Sequence, residues 1–174
     1  MLYYQDQTIT IRDLQPNDIP IIVAEEIAQG WHATAEKYET RLQHQAEGRA
    51  IAMVAEFHGQ IAGYINLYLD VVSGPFCGTE IPEIVDFGVL EKYRCHGIGT
   101  KLMDIAETLA KTRFHSVCLS VGVHSGYGSA QRMYVKRGYI PDGSGVWYGK
   151  DVCEPYTACC NDDDLVLYFS KKLR

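Results

Sequence analysis

The run Val89-Leu90-Glu91-Lys92-Tyr93-Arg94-Cys95-His96-Gly97-Ile98-Gly99-Thr100, continued by the amphipathic stretch from Lys101 to Thr112, reads as a strand, a loop and a helix. A helix start leaves backbone amides unpaired and carries the positive end of the helix dipole. Main chain alone can therefore hold a pyrophosphate there when the approach is open. Gly97 and Gly99 keep it open, since neither has a Cβ and either can take positive φ. Two other glycine-loop readings fail on spacing. A Walker loop needs Gly-x-x-x-x-Gly-Lys-Ser/Thr, whereas Gly97 is followed by Gly99 and Lys101 lies beyond Thr100. A dinucleotide fingerprint needs a third glycine where Leu102 stands.

The elements around this loop follow from hydrophobic periodicity. Thr8 to Arg12 alternates as a half-buried strand, Pro16-Asn17-Asp18 opens a helix carrying Ile19, Ile22, Val23 and Ile27, and Asp18 is its expected N-cap. Trp31 to Glu47 is a second, weakly amphipathic helical region. His58-Gly59 joins strands Ala50–Phe57 and Gln60–Leu69 as a hairpin. A strand from Glu83 to Val89 feeds the loop, with Gly88 as its expected bulge. The helix after the loop buries Leu102, Ile105, Ala106 and Leu109. Val117 to Val123 is the next strand, Ser129 to Lys136 a short helix stopped by Gly138, and Leu165 to Phe169 the last strand. This order predicts an α+β fold: a mixed, mostly antiparallel central sheet with a parallel β4/β5 pair, counting strands from Thr8, flanked by helices.

Ala130-Gln131-Arg132-Met133-Tyr134-Val135-Lys136-Arg137-Gly138-Tyr139 lies one helix and one strand beyond the loop. Arg94-x-x-Gly97-x-Gly99 resembles the acetyl-CoA pyrophosphate loop of the GNAT acetyltransferase superfamily, and the later segment resembles that family's second motif, Ala-x-x-Leu/Met-Tyr-x-Lys-x-Gly-Phe/Tyr. The two stand in the family's order, and the likeness spans most of the chain, most strongly from Glu83 to Tyr139. It implies a GNAT-like acyl-CoA N-acyltransferase fold and acetyl-CoA as the acetyl-donor cosubstrate. Arg94, Cys95, His96, Gly97, Ile98, Gly99 and Thr100 would cradle its pyrophosphate, and the backbone of Val89 and Leu90 would align its pantetheine arm. One departure is Tyr127, where many members carry Asn; Ser125 or Ser129 is the expected substitute cap.

By the same resemblance the amine attacks the thioester directly, and Tyr134 protonates the departing thiolate. Cys118 and Cys95 are weaker as covalent nucleophiles, because neither has a His-Asp set adjacent in sequence. The proton of an ammonium at pH 7 needs a carboxylate, a histidine or a water relay. Glu83 lies eleven residues before Arg94, the spacing of the catalytic glutamate in the histone acetyltransferase branch, and is the first choice. Asp86, on the opposite face of a regular strand, is the second.

At 174 residues, 47% hydrophobic and 22% charged, the chain is long enough for one domain, 1–174, with its own core. It has no apolar run of membrane length, and Met1 to Asp6 has no signal-peptide pattern, so a cytoplasmic protein without a membrane partner is expected. Six cysteines without that signal read as reduced thiols, and Cys153, Cys159 and Cys160 lack metal-knuckle spacing, so no metal is expected. A net charge of −6 excludes a nucleic-acid surface and suits cationic partners. The acceptor region is expected between Trp31 and Tyr38, on the strand from Tyr64 to Tyr68, and in the loop from Asp142 to Asp164, where Trp147, Tyr148 and Tyr156 offer aromatic faces and Asp162-Asp163-Asp164 offers negative charge. A small cationic amine is the favoured acceptor. A protein or peptide amine and a non-catalytic acyl-CoA sensor are the alternatives, and a homodimer is compatible with the resemblance.

Overall fold

The computed structural model describes residues 1–174, and internal contacts divide them into two units. The first comprises Met1–Leu69 and Val85–Leu109, the second Asp70–Ile84 and Ala110–Arg174.

In the first unit, strands β1 (Leu2–Gln5), β2 (Ile9–Asp13), β3 (Ala50–Phe57) and β4 (Gln60–Tyr68) are hydrogen-bonded in chain order, followed by most of β5 (Glu83–Val89). The β3–β4 hairpin turns on two residues with positive φ, His58 at 50° and Gly59 at 76°, a geometry that matches the right-handed twist of the flanking strands. Helices α1 (Ile19–Ala28) and α2 (Ala35–Ala46) cover a core that includes Leu14, Ile22, Tyr38, Val54 and Tyr64. Helix α2 is shorter than its periodicity suggests, and Trp31 to Thr34 lie outside it. Asp18 stands at the start of α1, but its carboxylate does not cap the helix. It accepts two hydrogen bonds from the Arg12 guanidinium, at 2.7 and 2.8 Å, and one from the Gln15 amide. A bidentate charged pair outcompetes a cap hydrogen bond.

The second unit holds the first residues of β5 and strands β6 (Ser116–Gly122), β7 (Ile140–Tyr148), β8 (Asp151–Val152) and β9 (Leu165–Lys172), in the order β5-β6-β9-β7-β8. Helix α3 (Ile98–Arg113) ends in this unit, and α4 (Gly128–Lys136) lies wholly within it. β5 and β6 are parallel, with Glu83 opposite Cys118 and Ile84 opposite Leu119; β6–β9, β7–β9 and β7–β8 are antiparallel. The fold is thus α+β with a mixed, mostly antiparallel sheet and one parallel pair. The additional strand β1 makes that pair β5/β6 rather than β4/β5. β1 is too short and too exposed to show the alternation that marks a buried strand. The final strand runs to Lys172, so the basic residues there belong to the ladder. No helix is long and apolar enough to cross a membrane.

Candidate active site

Helix α3 begins at Ile98, and its first backbone bond runs from the Lys101 amide to the Gly97 carbonyl at 3.0 Å. The amides of Ile98, Gly99 and Thr100 precede that bond and are the unpaired donors of a helix start. Cys95 and Gly97 both have left-handed backbone, with φ of 65° and 79°, which curls the loop in front of the helix. The two glycines serve different ends. Gly97 supplies the conformation, and a Cβ there would meet nothing within 4 Å. Gly99 does not have positive φ; a Cβ there would stand 3.1 Å from the Phe87 ring and 3.4 Å from Val89, so its absence lets the helix start seat on β5.

Arg94, Cys95, His96, Gly97 and Thr100 are exposed, Gly99 is half-buried, and Ile98 is buried. Arg94 lies over the Trp31 ring at 5.7 Å and pairs with Glu91 at 3.2 Å, which places Trp31 beside the loop. His96 directs Nδ1 to the Arg94 carbonyl at 2.8 Å. Val89 is half-buried and Leu90 buried. The Leu90 amide donates to the Ala62 carbonyl and its own carbonyl accepts from the Tyr93 amide, so its backbone is committed to the fold. Gly97→Val is expected to weaken coenzyme A binding about tenfold, because a β-branched residue at this φ is strained by on the order of 1–3 kcal/mol and relaxes by turning the amides away. Calorimetry of coenzyme A checks this, and an unaltered Kd would sink the cradle.

The left-handed residue of β5 is Asp86, with φ of 56°, and Gly88 does not have positive φ. Gly88 answers a different need: a Cβ there would lie 2.8 Å from the phenol oxygen of Tyr64. Gly88→Ala is expected to destabilise the protein by about 1–3 kcal/mol through overpacking, read from the urea midpoint. An unshifted midpoint would mean that Tyr64 moves aside freely.

Around Asp86 the first unit assembles a polar cluster. Asp86 Oδ1 accepts from Lys37 Nζ at 3.0 Å, and Arg41 Nε stands 3.7 Å from Oδ2. Lys37 Nζ also lies 3.9 Å from Glu26 and over the rings of Tyr38 and Tyr64, at 4.7 and 5.2 Å. Glu26 is 1% exposed and takes a short hydrogen bond from the Tyr64 phenol. Burial raises the Tyr64 pKa above its ordinary value, with Asp86 and Glu26 adding to the effect. Asn66, buried on β4, donates to the carbonyls of Val85 and Asp86, each at 3.3 Å. The roles of Glu26, Lys37 and Asn66 were not anticipated from sequence. A glutamate in register with Ile19, Ile22 and Val23, and an asparagine inside an apolar strand, are signals that could have marked two of them.

In the second unit Glu83 is half-buried opposite Cys118. Burial and then the Glu83 charge push the Cys118 thiol up, which leaves it a poor nucleophile. The Tyr168 phenol is pushed up to about 12 by burial, then by Glu83, Cys118 and Asp142. Tyr168 also packs edge-on against Trp147, with centroids 5.6 Å apart.

Tyr134 is buried on α4 and packs edge-on against Tyr139 at 5.8 Å. Its pKa is raised by burial first and Tyr127 second, so the phenol is protonated throughout the neutral range. Neither serine caps α4: its N-cap position is Tyr127, which makes no side-chain cap hydrogen bond, and in the turn before it His124 Nδ1 accepts from the Gly126 amide at 3.1 Å. Tyr127 donates to Asp163 at 2.9 Å, and His124 Nε2 pairs with the same carboxylate at 3.0 Å, holding its pKa below the usual range. Asp162 accepts from Tyr148 at 3.0 Å, so both Asp162 and Asp163 of the acidic run are engaged. A cavity of about 520 Å³ between α4, β6 and β9 is lined by Val121, Val135, Leu167 and Phe169 with Gln131 and Lys136, and contains neither Tyr134 nor Glu83. No three His, Cys, Asp or Glu side chains are grouped as a metal site.

The model of the acetyltransferase (GNAT) family matches residues 19–139. No curated protein matches the sequence. Among solved structures, apo RimL, a ribosomal L7/L12 alpha-N-protein acetyltransferase, is similar with a TM-score of 0.73 and 10% identity over 99% of this chain and 94% of that one. RimL in complex with coenzyme A has a TM-score of 0.69 at 11% identity, covering 99% of this chain and 98% of its own. Ard1 from Thermoplasma volcanium has a TM-score of 0.68 at 21% identity, covering 95% and 97%.

Proposed function

The chain belongs to the GNAT acetyltransferase family and is an acyl-CoA-dependent acetyltransferase, and we propose that it moves an acetyl group from acetyl-CoA to a primary amine by direct attack. The observation that carries the donor assignment is the start of α3, where three unpaired amides follow a left-handed Gly97 whose side-chain position opens on free space. Those amides, with Arg94, His96 and Thr100, hold the pyrophosphate; bound there, the donor supplies an activated thioester. Segments of both units lie inside the family match, in keeping with one transferase domain over residues 1–174.

In this reading Glu83 removes the proton from the acceptor ammonium, and the neutral nitrogen forms the new amide bond as the carbon–sulfur bond breaks. Tyr134 hydrogen-bonds the departing thiolate. A phenol raised by burial is a stronger base than a thiolate once ionised, so it stabilises the sulfur mainly as a donor and leaves final protonation to solvent. Asp86 is given no part in proton transfer in this reading, because Lys37 and Arg41 engage its carboxylate. No acyl-enzyme is required, consistent with the buried thiol of Cys118.

For the acceptor we favour a small cationic amine. The Trp147 and Tyr168 rings lie with Asp142 and Glu83 in the second unit, and aromatic faces with carboxylates suit an ammonium. A protein amino terminus is the second reading, favoured by the likeness to RimL. The test is release of coenzyme A thiol from acetyl-CoA with a panel of alkyl amines and N-terminal peptides. Turnover with small amines and none with peptides is expected. Turnover with peptides alone overturns the acceptor class, and donor binding with no turnover on any amine overturns catalysis.

A further inference from the structure

Asp86 occupies a backbone region that side chains disfavour, and it is held there from several sides. Its carboxylate is 3.0 Å from Lys37 Nζ and 3.7 Å from Arg41 Nε, while Asn66 ties the carbonyls of Val85 and Asp86 to β4. Lys37 is in turn fixed by Glu26 and by the rings of Tyr38 and Tyr64. The consequence lies further along the strand. Pairing of β5 with β6 ends at Ile84, two residues before the left-handed Asp86. After it come Phe87 and Val89, the side chains on which Gly99 seats. The path of β5 beyond Asp86 therefore sets where the first turn of α3 and its amides lie.

We propose that Lys37 and Asn66 are positioning residues for the donor. By keeping Asp86 left-handed they fix Phe87 and Val89, and through Gly99 they fix the amides that bind the pyrophosphate of acetyl-CoA. The inference rests on the donor-site reading above. It assigns to Asp86 the part of an anchor and removes it from proton transfer. The side chains involved come from α2 and β4, so no feature of the glycine loop itself would disclose them.

Glycine adopts this backbone without help, so Asp86→Gly keeps the left-handed conformation while discarding the anchor. The experiment is calorimetric binding of coenzyme A, with steady-state kcat and the thermal midpoint as parallel readouts. Lys37→Met is expected to weaken binding about tenfold, and Lys37→Arg to stay within about threefold of the unmodified chain. Asp86→Val, which needs extended backbone, is expected to lose at least as much as Lys37→Met. Asp86→Gly is expected to retain affinity to within about threefold, and adding Lys37→Met or Asn66→Ala to it should cost nothing further. That masking separates positioning from general damage, and the Asp86→Gly background keeps the test valid if Lys37→Met alone folds poorly. Full affinity in Lys37→Met would overturn the proposal. So would an Asp86→Gly protein that binds normally but has lost its turnover, since Asp86 would then be acting on the acceptor's proton. No coenzyme A binding by the unmodified chain would overturn the donor-site reading itself.

Discussion

Replacing Tyr134 by phenylalanine is expected to lower kcat by about 100-fold while changing affinity for acetyl-CoA by less than about threefold. The substitution is clean because the ring's work in packing is separable from the hydroxyl's. Tyr134 is 5% exposed and lies edge-on to Tyr139, a contact that phenylalanine reproduces. On the proposed role, what disappears is one donor to a developing thiolate, an interaction made only as the carbon–sulfur bond breaks, so the loss would fall on kcat. The pH dependence has a definite sign. An acid must be protonated to act, and burial raises this phenol above its ordinary value near 10. Tyr134 therefore contributes no alkaline limb below about pH 10. Steady-state rates across pH paired with calorimetry check both parts. Unchanged kcat would remove Tyr134 from the chemistry, and a loss confined to affinity would make it a binding residue.

Glu83→Gln is expected to lower kcat at pH 7 by about 100-fold, with the deficit shrinking as pH rises. Glutamine preserves shape and strand pairing opposite Cys118 but cannot take a proton. An alkyl amine with a pKa of about 10.4 is neutral in only a small fraction at pH 7, and that fraction grows about tenfold per pH unit below the pKa. A variant without its base reacts through this fraction, so its rate should climb toward that of the unmodified chain between about pH 7 and 9. A ratio of rates that stays constant over that range would show that Glu83 acts on something other than the acceptor's proton. Its field on Cys118 and Tyr168 would then be a structural one.

The parts of the site legible in the sequence are those carried by local patterns. Gly97, the helix after it, the hairpin at His58-Gly59 and the Tyr134 helix each announce themselves within a dozen residues, because turn geometry and helical periodicity are local. Gly88 shows the limit of that reasoning. A glycine in a strand signals a bulge or a close approach, and sequence does not say which; here it is the approach of Tyr64, a residue of β4. The left-handed residue of β5 is Asp86, which looks like an ordinary strand residue in the sequence, because the cations that hold it come from α2. Asp18 is similar. Its position is that of a helix cap, but Arg12 on β2 offers two hydrogen bonds in place of one.

From sequence alone came the glycine loop at a helix start, the order of elements from Thr8 onward, the mixed sheet with its parallel pair and the family, all of which depend on neighbours in the chain. The tertiary structure decided which carboxylate is engaged, which residue bends β5, and that Leu90 has its backbone committed while Gly99 serves packing. Those outcomes depend on partners from other elements, from Phe87 and Val89 on β5 for Gly99 to Lys37 on α2 for Asp86, where ion pairs and close packing, both steep in distance, override local preference.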